Sequence, residues 1–180
     1  MPRVSELSDQ HLDDADKEIY NDFSTQYGPF RNQVKIFAHR PPALRHIMGL
    51  LLELSTEECL PKRYLEIALV TVSKINACEY CVVHHSPRML NYGFLPEAAE
   101  KILGNVVPGF DALDTLVRDF AIQVTQTPQK IADQMFSRLK THFSEAQIVE
   151  LTLRISLCGF FNRFNDTLQI DIEDEFNGVN

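Results

Sequence analysis

No run of about 18 apolar residues occurs anywhere in this 180-residue chain, which excludes a membrane-spanning helix on length. An export signal is missing too. After Met1-Pro2-Arg3-Val4-Ser5-Glu6 come acidic and polar residues where a signal peptide needs an apolar stretch. The chain is therefore expected to stay in the cytoplasm. Positive charge is in the minority, with 17 Lys and Arg against 25 Asp and Glu and a net charge of −8. That balance excludes a nucleic-acid partner, which needs a basic footprint to displace counterions, and it excludes docking on an anionic membrane. Glycine is scarce at seven residues, and with 44% hydrophobic and 23% charged residues the composition is that of a folded globular chain. Cysteine is sparse as well. Four thiols in a cytoplasmic chain do not build a disulfide framework, because cytosolic reductants keep them reduced.

Strand signals are nearly absent, and apolar residues recur at helical intervals. An early helix is expected over 18–27, closed by Gly28-Pro29. Pro41-Pro42 opens a second, whose Leu44, Ile47, Met48, Leu51 and Leu52 follow helical spacing to about residue 55. Pro61 can occupy the first turn of a third helix, running to residue 75. A short corner at 76–78 leads into a fourth over 79–91. Further helices are expected over 96–103, 111–124, 128–141, 144–161 and 166–173, with Ser144 and Gln147 spaced as a capping box. The acidic stretch 171–175 reads as a solvated end. The fold class is all-α, a single-domain bundle of about eight helices. Residues 1–40 read as an N-terminal helical extension and 41–180 as one compact helical domain.

Chemistry concentrates in Cys78-Glu79-Tyr80-Cys81-Val82-Val83-His84-His85. Cys78, Cys81 and His85 stand at i, i+3 and i+7, which places them on one face of a helix. The start of a helix favours a thiolate, and a base four residues beyond Cys81 is placed to take its proton. Two thiols one turn apart can close a disulfide, so the segment holds the parts for reducing a peroxide: one thiol attacks and the other resolves the sulfenic acid. Two other readings stand beside this one. A Cys-x₂-Cys-x₃-His array can bind zinc, but a closed site wants a fourth ligand, no second Cys or His pair follows, and His84 points to another face. The cysteines could also be inert core residues beside a surface histidine. Cys158 lies in an apolar run and reads as a buried, unreactive thiol, while Cys59 stands alone. Periodicity groups Glu66 with Lys62, Ser73 and Ala77, away from the apolar residues of its helix. By spacing alone it is a solvated carboxylate.

The span from Glu66 to His85 resembles the core of alkylhydroperoxidase D and the wider carboxymuconolactone decarboxylase-like superfamily. The pattern is a glutamate twelve residues before a Cys-x-x-Cys pair and a histidine four residues after its second cysteine, and all four positions are present. The resemblance covers residues 40–105. More loosely, Phe161-Asn162-Arg163-Phe164-Asn165-Asp166 is similar to the family's closing helix, and the first forty residues carry no likeness. The resemblance implies an all-helical fold, a homo-oligomer and thiol-dependent, peroxiredoxin-type peroxidase activity. A hydroperoxide would be the substrate and a thiol or dithiol the electron donor, with no cofactor or metal. It makes Cys81 the attacking thiol and Cys78 the resolving one, with Glu66 and His85 relaying the proton. Alkylhydroperoxidase D has a histidine between its cysteines where this chain has Tyr80, which is no base near neutral pH. The decarboxylase branch lacks the cysteine pair. Two alternatives remain: a decarboxylase-like enzyme in which Glu66 and His85 move protons on a small acid, and a non-catalytic oligomeric helical module.

Mild oxidation should link Cys78 to Cys81 within one chain, seen as one cross-linked peptide in a non-reduced digest. A bond through Cys59 or Cys158, or between chains, would put the redox centre elsewhere.

Overall fold

Every regular element among the described residues is helical, in agreement with the expected fold class. The structure is a computed structural model that describes residues 1–176. The chain forms two compact units, Met1–Glu58 with the described residues from Asn165 onward, and Cys59–Phe164. This grouping differs from a division after residue 40, because the helical stretch that Pro41 opens packs on the N-terminal helices.

In the first unit, α1 (Asp14–Asp22) begins where the Asp13 carboxylate accepts the Asp16 N–H at 2.9 Å. It runs on through a π-helical turn, Phe23–Tyr27, and stops at Gly28, whose φ of 131° suits glycine. Then follow α2 (Arg31–Phe37), α3 (Pro41–Ala43), a second π-helical turn Leu44–Met48, and α4 (Gly49–Glu57). Helix α2 was not expected from the sequence, being too short for a periodic pattern to stand out. Buried Asp16 receives the Arg45 guanidinium at 2.7 Å, and Phe23, Val34, Phe37, Leu44 and Met48 form the apolar interior. The acidic stretch 171–175 is largely exposed, as its composition suggested, but it is tied to α2. Glu173 is buried and accepts the Asn32 N–H at 2.8 Å, the Asp171 carbonyl accepts from the Asn32 side chain, and Arg31 pairs with Glu175.

The second unit contains α5 (Lys62–Ile75), α6 (Glu79–Leu90), α7 (Pro96–Glu100), α8 (Ala112–Gln126), α9 (Asp133–Lys140) and α10 (Glu145–Leu168), the last belonging to this unit up to Phe164. Pro61 caps α5 instead of entering its first turn. Separate helices over 144–161 and 166–173 were expected, but α10 is continuous through residue 166. Its start carries the expected box, with Gln147 N–H on Ser144 Oγ at 3.3 Å and Ser144 N–H on Gln147 Oε1 at 2.9 Å. No helix among the described residues is long and apolar enough to cross a membrane.

Helix α5 is the centre of this unit and packs on both α6 and α8. Every residue from Leu65 to Ser73 is buried, so the helix has no wet face over more than two turns. Its N-terminal end is tied down by Arg63. That guanidinium donates Nε to Asp114 Oδ1 at 2.9 Å, Nη2 to Asp114 Oδ2 at 2.5 Å and Nη1 to the Tyr92 carbonyl at 2.7 Å, and lies 4.0 Å from the Phe94 ring centroid. Asp114 is fully buried in the first turn of α8, where it closes a reciprocal cap with Asp111.

Removing one partner of a buried pair leaves the other charge without compensation. Arg63→Ala should therefore lower the unfolding free energy by about 3 kcal/mol, read from urea denaturation. A loss of a few tenths would class the pair with exposed ion pairs instead.

Candidate active site

The corner between α5 and α6 is built by hydrogen bonds that satisfy the last carbonyls of α5. Cys78 N–H donates to the Ser73 carbonyl at 3.0 Å and Ala77 N–H to the Lys74 carbonyl at 3.3 Å. With Ala77 at φ 55° this is a Schellman turn, unusual in placing alanine where glycine is the common choice. The same corner makes Cys78 the N-cap of α6, and its carbonyl accepts the Val82 N–H at 3.0 Å. Cys81 follows in the first turn. The two sulfurs lie 3.1 Å apart, both side chains are buried, and none of the four cysteines is in a disulfide.

His85 lies one further turn along α6, at i+4 from Cys81, on the same side of the helix. Its Nδ1 is 2.8 Å from Glu66 Oε2, nineteen residues back on α5. Glu66 is only 5% exposed, so the solvated carboxylate expected from periodicity is corrected: α5 is covered on all sides there, and periodicity reports only helices with a wet face. Arg88, one turn beyond His85, approaches the other carboxylate oxygen at 3.5 Å. Sequence reasoning passed over Arg88, although its i+3 spacing from His85 was a legible signal. His84 belongs elsewhere, with Nδ1 2.5 Å from the Tyr80 carbonyl and its ring 4.3 Å from the Tyr80 ring. Tyr80 therefore packs on His84 in the place where alkylhydroperoxidase D has a histidine. Cys59 is half-buried, with its carbonyl accepting Gln147 Nε2 at 2.9 Å. Cys158 is buried as expected, and burial pushes its thiol up to about 12. Among the described residues no group of three or more His, Cys, Asp or Glu is arranged to hold a metal ion.

Burial works to raise the Glu66 carboxyl, but His85 and Arg88 more than offset it and leave the group below the usual carboxylate range. Burial pushes the His85 imidazole below its ordinary value, and the neighbouring Glu66 carboxylate recovers only part of that shift. At neutral pH the pair is then carboxylate and neutral imidazole. An ionised Glu66 can only accept, so Nδ1 carries the hydrogen and donates it, and Nε2 keeps the lone pair of a base. The site thus combines a vicinal dithiol with an imidazole whose tautomer is set by a buried acceptor.

With this geometry in view, the likeness to other proteins has a structural meaning. Residues 41–112 match the carboxymuconolactone decarboxylase family. The fold is similar to that of a peroxidase-related protein with an alkylhydroperoxidase core from Ralstonia eutropha JMP134, at a TM-score of 0.81 and 23% identity, covering 97% of this chain and 94% of that one. A peroxidase-related protein from Silicibacter sp. TM1040 gives a TM-score of 0.76 at 23% identity, covering 98% and 92%. The debrominase Bmp8 gives 0.72 at 18% identity, covering 93% of each chain. No protein of curated function matches the chain significantly in sequence. Residues 41–112 thus carry the likeness to the carboxymuconolactone decarboxylase family, and the all-helical fold is the one these alkylhydroperoxidase-like structures share.

The two shifts have a common sign in stability. Where His85 is held below 6.5 and Glu66 below 4.5, the unfolded chain binds more protons than the folded one, so stability rises with pH. Acidification should therefore destabilise the chain, through His85 from 6.5 downward and through Glu66 only below 4.5. Urea melts between about pH 7 and pH 5 should show that slope, and His85→Gln should flatten it. An unchanged slope in the variant would assign the effect to other groups.

Proposed function

We propose that the chain is a thiol peroxidase that reduces hydroperoxides through Cys78 and Cys81. The observation that carries this reading is the 3.1 Å approach of the two sulfurs, one helical turn before an imidazole bound to a buried carboxylate. In the first step Nε2 of His85 takes the Cys81 proton, and the thiolate attacks the terminal peroxide oxygen. The O–O bond breaks, Cys81 becomes a sulfenic acid, and the alkoxide leaves with the proton that His85 returns. In the second step the Cys78 thiol attacks the Cys81 sulfur, an S–S bond forms, and water departs. The sum is two thiols and ROOH to one disulfide, ROH and water. An external thiol or dithiol restores the pair, which suits a reducing cytoplasmic setting. Glu66 orients His85 and Arg88 steadies Glu66, so neither needs to touch the peroxide. The chain works as a homo-oligomer in this reading, and the exposed Leu90, Leu95 and Leu103 of the second unit are consistent with a covered surface.

A second reading uses the same dithiol and rests on the likeness to the debrominase, which has been described with 2,3,4-tribromopyrrole. There the Cys81 thiolate takes bromine from carbon, the carbon is protonated, and Cys78 displaces bromide to give the disulfide. Both readings oxidise two thiols per turnover, and the substrate separates them.

Cumene hydroperoxide and a bromopyrrole, each offered with dithiothreitol, decide between them. Peroxide reduction well above bromide release is expected. Cys81→Ser should abolish the first oxidation, while Cys78→Ser should consume one equivalent of peroxide and stop as a sulfenic acid that dimedone traps. His85→Gln should move the pH–rate profile to higher pH, and Glu66→Gln should move it the same way by less. Trapping in Cys81→Ser with an inert Cys78→Ser would give the attack to Cys78. Bromide release exceeding peroxide loss would replace the peroxidase reading with the second.

A further inference from the structure

Cys78 is delivered to Cys81 by a turn that is strained at Ala77, since a residue with a Cβ is less stable in the left-handed region than in the right-handed one. Such a conformation persists only where the surroundings over-determine it. What surrounds it is a polar cluster on α10 that the proposed chemistry does not use. Asn162 is 1% exposed, and its Oδ1 accepts Asn76 Nδ2 at 2.8 Å. Its Nδ2 donates to Ser73 Oγ at 3.4 Å and reaches Cys158 Sγ at 3.8 Å. Ser73 Oγ in turn donates to the Leu69 carbonyl at 2.7 Å and lies 3.4 Å from Cys158 Sγ. Ser73 is the residue whose carbonyl receives the Cys78 N–H, and Asn76 is the last residue before Ala77. One buried amide therefore bonds to two residues, Ser73 and Asn76, of the turn that carries Cys78.

We infer that Asn162 is a positioning residue for Cys78, clamping the Ser73–Asn76 turn so that the two sulfurs stand ready to close. The inference rests on the dithiol reading above, but it concerns the second step alone. Cys81 and His85 sit inside α6, where the helix itself fixes their spacing, whereas Cys78 precedes the helix and depends on the turn. Asn162 touches neither sulfur of the pair. Its loss should lower the effective concentration of the Cys78 thiol at Cys81 and leave the attack on peroxide alone.

The test separates the steps in Asn162→Ala, Asn76→Ala and the double variant. Sulfenic acid formation at Cys81 should stay within about twofold of the parent. Closure of the disulfide, followed as loss of the second thiol in competition with dimedone, should slow by about tenfold, within the range that small misplacements cost. Titration against the dithiothreitol couple should show the pair more oxidising by about 30 mV for each tenfold loss of effective concentration. The double variant should match Asn162→Ala, since the one contact that Asn76→Ala removes is already lost there. Equal slowing of both steps, or closure at the parental rate, overturns the inference. If Asn162→Ala does not fold, the less buried Asn76→Ala decides by the same measurements. A parent that forms the Cys78–Cys81 disulfide with oxidised dithiothreitol yet turns over no peroxide sinks the peroxidase reading, and the titration still judges Asn162. A parent that forms no such disulfide with any oxidant overturns both.

Discussion

A carboxylate in the middle of a helix with no wet side has to be compensated where it stands, because an unpaired buried ion costs several kcal/mol. Glu66 is in that position on α5, and the remainder of the site is arranged around it. His85 supplies a hydrogen bond at 2.8 Å and Arg88 a charge at 3.5 Å, both from α6. Meeting Glu66 fixes the rotation of α6 against α5. With that rotation fixed, Cys81 shares a side with His85 by helical spacing, and Cys78 caps the same helix. A burial constraint on one residue thus sets the geometry of four.

The electrostatics follow from the same constraint. Burial alone would protonate the carboxyl and deprotonate the imidazole, and a neutral carboxyl, able to donate as well as accept, would no longer fix the tautomer of His85. Arg88 helps to keep Glu66 ionised, so the imidazole can be neutral and oriented together. A neutral imidazole with a fixed tautomer suits proton removal from a neighbouring thiol. Tyr80, a phenol that is no base near neutral pH, packs its ring against His84. Among the described residues, the hydrogen-bonded Glu66–His85 pair stands one helical turn from the paired thiols.

Two kinds of cysteine environment coexist within this unit. Cys78 and Cys81 face each other at a helix start, while Cys158 sits among Ser73 and Asn162 with its thiol pushed up to about 12. The contrast lies in the neighbours, since all three are buried. Cys158 has no base beside it in its cluster and serves as packing in a polar seam. That seam lies directly behind the turn that carries Cys78.

Local signals in the sequence were sufficient for the all-helical class, the start of the second helix at Pro41, the corner before Cys78 and the capping box at Ser144, because each depends on residues a few positions apart. The i, i+3, i+7 spacing placed Cys78, Cys81 and His85 together for the same reason. Glu66 was legible only through likeness to a family, since periodicity assumes a helix with one wet side and α5 has none. Other features were decided by tertiary structure alone. Helix α2 is too short to show a period, the acidic stretch 171–175 is held by Arg31 and Asn32 far back in the chain, and Asn162 meets Asn76 across 86 residues. Contacts of that range leave no trace in local pattern, because the partners share no helix and only the packing of one helix on another brings them within hydrogen-bond reach.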